Sequence, residues 1–227
     1  MSKQTKKVAI FDLDGTLVSA HLWLGMIKYY FKNKKKRFSA FWYIFSHLGL
    51  MPLWRMRLLS TKKYYQMWGR DIINMIKGLE LEEVKELFRW LSNEYLLPTL
   101  KNKTAERLKK HQQEGYLTIL ASGTFQELTN FVARQLKIDF SIGTEYEINA
   151  NKVSGKIIPP FCFAEGKVEK LKNFFNENNL RVDFKESFAY SDGFFDLPIL
   201  ELVGNPVVVD PDKELLKIAQ NKGWQII

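Results

Sequence analysis

Val8-Ala9-Ile10-Phe11-Asp12-Leu13-Asp14-Gly15-Thr16-Leu17 decides how the rest of the chain is read. Four apolar residues with β-branched character open it as a buried strand, and two carboxylates two residues apart follow where that strand should end. Side chains alternate along extended backbone, so Asp12 and Asp14 fall on one side, and Gly15 lets the chain turn at once. In open parallel α/β sheets this edge is where ligands bind, and two acids there are costly unless they share a cation or a proton. Taken alone, the stretch fits an ordinary strand with an acidic turn equally well.

Composition narrows the choice. A chain of 227 residues, 46% hydrophobic and 14% aromatic, can bury the core of one α/β domain carrying a smaller insertion, and it is far from the composition of an unfolded chain. A single cysteine, Cys162, excludes an internal disulfide and fits a reducing compartment. Lys3, Lys6 and Lys7 before an apolar run look superficially like a signal peptide, but Asp12 and Asp14 interrupt that run too early. Phe38 to Trp54 is a run without Asp, Glu, Lys or Arg, just short of a membrane span. The formal net charge of +9 is unevenly placed: from residue 20 to 70 there are 11 basic residues and no acid, against 23 basic and 25 acidic elsewhere.

Read in order, the chain has a strand over about Lys7 to Asp12, then a helical stretch from Ser19 to about Leu97. Trp23, Ile27, Tyr30 and Phe31 share one face of its first helix, and Lys28, Lys32, Lys35 and Lys36 another. A second helix is predicted over Phe38 to His47, broken by Gly49 and Pro52, with others around Arg55 to Lys77 and Glu80 to Tyr95. Beyond Pro98, strand and helix alternate. A helix over Thr99 to Glu114 precedes a strand over Tyr116 to Ala121, which ends in Ser122-Gly123-Thr124 at the start of a helix over Phe125 to Leu136. Two strands follow, Phe140 to Ile148 and Lys152 to Ile157. Further on come a helix from Glu165 with Lys167 in its first turn, a strand over Ser187 to Ser191 delivering Asp192-Gly193-Phe194-Phe195-Asp196, and a last set of short elements. Repeated strand-helix units predict an α/β fold: a Rossmann-like, three-layer α/β/α core around a parallel sheet. Residues 1–18 and 98–227 form that core, and 19–97 a small all-α cap.

In such a sheet the strand ends bring Asp12, Asp14, Ser122, Lys167, Asp192 and Asp196 to one crevice. Several carboxylates with a lysine and a hydroxyl suit a phosphoryl group held with a hard divalent cation such as Mg²⁺, which takes oxygen ligands. Ser122 and the backbone N–H groups of Gly123 and Thr124 offer donors to phosphate oxygens, and Lys167 neutralises charge that develops in transfer. Each has a plainer reading by itself: Ser122 a helix cap, Lys167 a solvated lysine, Asp192 a turn residue, Asp196 a helix N-terminal charge.

Asp12-Leu13-Asp14-Gly15-Thr16, Ser122-Gly123-Thr124, Lys167 and Asp192-Gly193-Phe194-Phe195-Asp196, in this order, resemble the four motifs of the haloacid dehalogenase superfamily. The helical insertion after the first motif, Glu165 to Leu171 and Leu197 to Pro206 resemble its phosphoserine-phosphatase-like branch. The resemblance covers residues 6–18 and 98–222 and leaves the cap out. It implies a Mg²⁺-dependent phosphatase with Asp12 as nucleophile forming an aspartyl-phosphate and Asp14 as general acid and base. Asp12, the backbone carbonyl of Asp14 and Asp192 would ligate the metal, with Asp196 in support, and Ser122, Gly123 and Lys167 would hold the phosphate. Two positions depart from the branch. Phe195 stands where an asparagine is common, and His21 where phosphoserine phosphatases carry a glutamate that reads the substrate amine, so phosphoserine is disfavoured and His21 is a candidate substrate contact.

The cap chooses the substrate. Its rings, among them Trp23, Phe38, Phe41, Trp42, Phe45 and Trp54, outnumber what so small a unit can bury, and they interleave with its basic residues. That combination suits anionic lipid interfaces. The expected partner is therefore a phosphorylated small molecule or a lipid head group. Peripheral contact of the cap with an anionic membrane is expected too, in a cytoplasmic protein or one at the inner membrane face. A soluble sugar or polyol phosphate steered by the positive cap, and phosphotransfer to an alcohol, are the alternatives. A catalytically silent nucleic-acid-binding protein is a third, but it leaves the carboxylates unexplained, so no nucleic acid is expected.

Overall fold

The computed structural model describes residues 5–227; residues 1–4, Lys3 among them, lie outside the described residues. Strand β1 (Val8–Phe11) is wholly buried and serves two cores by alternation, Ala9 and Phe11 facing one and Val8 and Ile10 the other. Burial on both faces is what a parallel sheet covered by helices requires. The chain then leaves the sheet for α1 (Leu22–Lys32), α2 (Arg37–Arg55), α3 (Thr61–Asp71), α4 (Ile73–Ile76) and α5 (Leu81–Trp90), which runs into a π-helical turn at Leu91–Leu96. Helix α6 (Asn102–Gln113) leads back to β2 (Leu117–Phe125). After it come α7 (Gln126–Gln135), β3 (Phe140–Asn149), β4 (Lys152–Ile158), α8 (Glu165–Glu177) and β5 (Phe188–Ser191). Helix α9 (Leu197–Leu200), β6 (Asn205–Val208), α10 (Lys213–Lys222) and β7 (Gln225–Ile226) complete the chain.

The seven strands make one sheet in the order β4-β3-β2-β1-β5-β6-β7, parallel except where β4 turns back on β3. Helices α6 and α7 cover the Phe11 face through Leu108, Leu128 and Val132, while α8, α9 and α10 cover the other through Leu171, Ile199 and Leu215. This is the Rossmann-like α/β/α layering expected. Because β2 lies on one side of β1 and β5 on the other, the connections diverge at β1 and leave a crevice at its C-terminal end.

Three expectations are corrected. Gly49 and Pro52 do not end the second helix, which runs to Arg55. Pro52 removes one donor, but Leu48 and Pro52 lie on the exposed side, where water reaches the freed carbonyl. On the opposite side Tyr43 Oη donates to the Trp68 carbonyl (2.9 Å) and Tyr64 Oη to the His47 carbonyl (3.2 Å), which ties the part of α2 before the proline to α3. Nor does Ser122-Gly123-Thr124 open a helix. These residues continue β2 past an irregular register at Ala121, and α7 starts only at Gln126, after Phe125. The Arg55 to Lys77 helix is split into α3 and α4, with a break between Arg55 and Thr61.

The core holds a pH-sensitive group. His111 of α6 is only 3% exposed, with Nε2 2.7 Å from the Tyr190 hydroxyl and its ring against Phe188 and Tyr116. Burial pushes its pKa down to about 4; Glu114 opposes the shift, and Arg107 and Lys110 add to it. The unfolded chain binds this proton near pH ~6.5, so the stability from neutral His111 is complete above that pH and is lost as pH falls toward the folded value. Denaturant unfolding at neutral pH and at about pH 4.5 is expected to show about 2 kcal/mol more acid loss in wild type than in His111→Phe. Equal losses would remove His111 from the acid response.

Candidate active site

Three parallel strands end together. Asp12 follows β1, and its N–H donates to the Tyr190 carbonyl (3.0 Å). Ser122 lies two residues beyond Leu120, the partner of Phe11 in β2, and Asp192 follows directly on β5. Lys167 enters from the first turn of α8, where Gly166 sits so close to the Phe161 carbonyl that a Cβ would lie 2.1 Å from its oxygen. Its Nζ donates to Asp12 Oδ1 (2.9 Å) and reaches the Asp196 carboxylate at 2.7 Å. Asp196 also accepts from Ser191 Oγ (2.7 Å). All six predicted polar residues therefore face one crevice, and His21 lies at its rim. The hydroxyl of Ser122 accepts from its own loop, Thr124 N–H at 3.2 Å.

Charge is unbalanced here. Burial works against the Lys167 ammonium, but Asp12 and Asp196 outweigh it and hold its pKa above the ordinary lysine value. Burial raises Asp12 well above the usual carboxylate range; Lys167 pulls it down, and Asp196 and Asp192 push it further up. Burial likewise raises Asp192, despite the hydroxyl of Thr16 donating to its Oδ1 at 2.8 Å. Asp14 is pushed up to about 6 by burial, although Leu22 N–H donates to its Oδ2 at 3.1 Å. Its other oxygen, Oδ1, is buried without a partner.

The loop leaves no room for a side chain at residue 15. Gly15 has φ +82°, and a Cβ there would lie 2.2 Å from Asp192 Oδ2. Gly15→Ala is expected to push Asp192 away from Asp12 and to lower turnover about a hundredfold, and to lower the melting temperature as well because φ +82° strains any Cβ. A steady-state assay beside a thermal melt checks this, and wild-type turnover would count against the packing argument.

The donor set fits a hard cation. Asp12 and Asp192 offer carboxylate oxygens, and crowded buried acids with raised pKa values are what a divalent ion would relieve. Among the described residues no three His, Cys, Asp or Glu side chains converge to hold a metal by themselves. Two carboxylates and a main-chain carbonyl, completed by water and substrate, is how Mg²⁺ is commonly held.

Over the polar floor lies a cavity of about 540 Å³ with an aromatic roof. Trp23, Trp54, Tyr65 and Trp68 come from the inserted helices, and Phe161, Phe163 and Phe195 from the core. Phe195 packs on Tyr65 (5.2 Å between ring centres) and Phe163 (5.1 Å), so it joins roof to floor. Sequence reasoning took the cap rings as a surface for anionic lipid and not as the roof of the site, and assigned no role to Thr16, Ser191 or Phe163. Thr16 was within reach, since it belongs to the Asp-x-Asp-Gly-Thr stretch; nothing in the sequence marks Ser191 or Phe163.

A family profile for haloacid dehalogenase-like hydrolases matches residues 9–201, and the chain belongs to that family. A histidinol-phosphatase of Neisseria meningitidis is 30% identical over 98% of both chains. A probable phosphatase of Mycobacterium tuberculosis is 24% identical over 99% of this chain and 76% of its own. In fold, a Bordetella pertussis protein of unknown function superposes with a TM-score of 0.82 at 23% identity, over 99% of each chain. A phosphoserine phosphatase solved as a phospho-aspartyl intermediate analogue gives 0.63 at 17% identity, over 98% of this chain and 93% of that one. The chain is a phosphatase with the fold of the phosphoserine-phosphatase-like branch.

Proposed function

We propose that this phosphatase hydrolyses a phosphomonoester by way of an aspartyl-phosphate on Asp12, with Mg²⁺ as cofactor. The observation that carries the reading is Lys167, buried and shared between Asp12 and Asp196 at 2.9 and 2.7 Å, beneath a cavity lined with aromatic rings. A carboxylate fixed by an ammonium presents its oxygens to phosphorus in one orientation. As the bond from Asp12 to phosphorus forms, the bond to the substrate alkoxide breaks, and Asp14 delivers a proton to that oxygen. A pKa of about 6 leaves Asp14 able to hold that proton near neutrality. Asp14 then takes a proton from the water that attacks phosphorus, and Asp12 and inorganic phosphate are released. Lys167, the Ser122 hydroxyl and the Gly123 N–H offset the charge on the phosphoryl oxygens. Mg²⁺, held by Asp12, Asp192 and the Asp14 carbonyl, would neutralise phosphate charge. The inserted helices act as the cap that excludes bulk water and selects the leaving group.

That leaving group meets rings. Apart from His21, the roof residues from the inserted helices are uncharged, and aromatic faces attract flat groups and cations. The meningococcal relative is named for histidinol phosphate, whose imidazole and amine fit such a roof, so we assign this chain an aromatic or cationic amino-alcohol phosphate of that kind. The test is phosphate release from histidinol phosphate, O-phosphoserine and glycerol phosphate, with Mg²⁺ and after chelation. Histidinol phosphate is expected to lead in kcat/KM by at least about tenfold, with chelation abolishing turnover and Mg²⁺ restoring it. Preference for phosphoserine would overturn the substrate, and turnover unaffected by chelation would overturn the metal.

A further inference from the structure

We infer that the outer face of α2 is a docking surface for anionic lipid, so that the enzyme works while bound to the surface of a membrane. The inference does not rest on the catalytic reading. Helix α2 runs about 28 Å; Phe38, Phe41, Trp42, Phe45 and Leu48 recur on it at helical spacing, and Met56 caps its C-terminal end. All six are exposed, Phe38 by 77% and Phe45 by 58%. The four rings alone leave on the order of 500 Å² of aromatic surface in water, as much as the largest apolar patch of an ordinary monomer. Stacking does not hide them: Phe38 packs on Trp42 (6.3 Å) and Phe41 on Phe45 (5.9 Å), which makes a continuous ridge instead of closing one.

The ends of the ridge say what covers it. Lys34 and Arg37 stand at its start and Arg55 and Arg57 at its close, all exposed and, among the described residues, in no ion pair. An apolar stripe between cationic ends matches the layering of a bilayer surface, apolar below and anionic above. A second copy fits poorly, because a two-fold contact through this ridge would press one acid-free basic segment against another. Among the described residues no helix is long and apolar enough to cross a membrane. The inner side of the same helix carries Met51 and Trp54 into the catalytic cavity, so docking would set that cavity close to the lipid surface.

The test is co-sedimentation of the full chain with phosphatidylcholine vesicles, with and without about 30 mol% phosphatidylglycerol, at low and high salt. The protein is expected to pellet only with the anionic vesicles. Partition should fall at least about tenfold in high salt and in Phe38→Ser/Phe41→Ser/Phe45→Ser, with helicity and hydrolysis of p-nitrophenyl phosphate unchanged. Arg55→Glu/Arg57→Glu should weaken binding even if the triple variant folds poorly. Wild type left in the supernatant with anionic vesicles overturns the inference. So does a dimer in solution that the serine variant dissolves, or binding to single-stranded oligonucleotide but not to vesicles.

Discussion

Asp12→Asn is expected to reduce metal-dependent phosphate release at least about ten-thousandfold while leaving the fold intact. The amide is nearly isosteric, and its oxygen can still accept from Lys167 where Asp12 Oδ1 does at 2.9 Å, so the crevice should keep its shape. It cannot attack phosphorus to form a stable acyl-phosphate. Stability should move the other way. Burial and the neighbouring Asp196 and Asp192 raise the pKa of Asp12, which means its ionised form is held at a cost at neutral pH. Replacing it with a neutral side chain should leave the protein as stable as wild type, or more stable by about 1 kcal/mol. Acid quench with labelled substrate gives the direct check: wild type should retain label that hydroxylamine releases, and Asp12→Asn none. Residual activity above about a tenth of wild type would refute the nucleophile assignment.

Lys167→Met should lower turnover about a thousandfold, because the ammonium that contacts Asp12, the only one among the described residues, is lost. Here stability should fall as well, by about 3 kcal/mol near pH 7.5, since two buried carboxylates are left facing each other without a counter-charge. The direction with pH follows. In wild type, Lys167 pulls the Asp12 pKa down against burial, so removing it raises that pKa further. The variant then binds its proton at a higher pH when folded than when unfolded, its deficit is greatest above that pKa, and it narrows as pH falls and Asp12 is protonated. Urea unfolding of both proteins at several pH values checks this. A deficit independent of pH would mean that lost packing, not charge, explains the change.

Much of this was written into the chain. The unbroken apolar run of Val8–Phe11 specified a buried strand, and the recurring strand-helix units specified a parallel sheet, because local pattern reflects which faces meet water. Asp12, Ser122 and Asp192 could be placed at one edge for the same reason, since parallel strands end on one side. Neighbours in sequence misled where neighbours in space decided. Pro52 looked like a stop, yet α2 runs on to Arg55, tied to α3 ahead of the proline by Tyr43 and the His47 carbonyl and with the proline itself on the exposed side. Thr124 looked like a helix start, yet pairing with β3 draws β2 on to Phe125.

The sequence by itself determined the fold class and the identity of the polar floor, because both depend on residue type and on periods of two and of about three and a half along one segment. Only the tertiary structure decided that Lys167 lies between Asp12 and Asp196, that Phe195 closes against Tyr65, and that one side of α2 is left uncovered. Those facts join residues as many as 155 positions apart, and no local pattern encodes such distances; packing alone selects them.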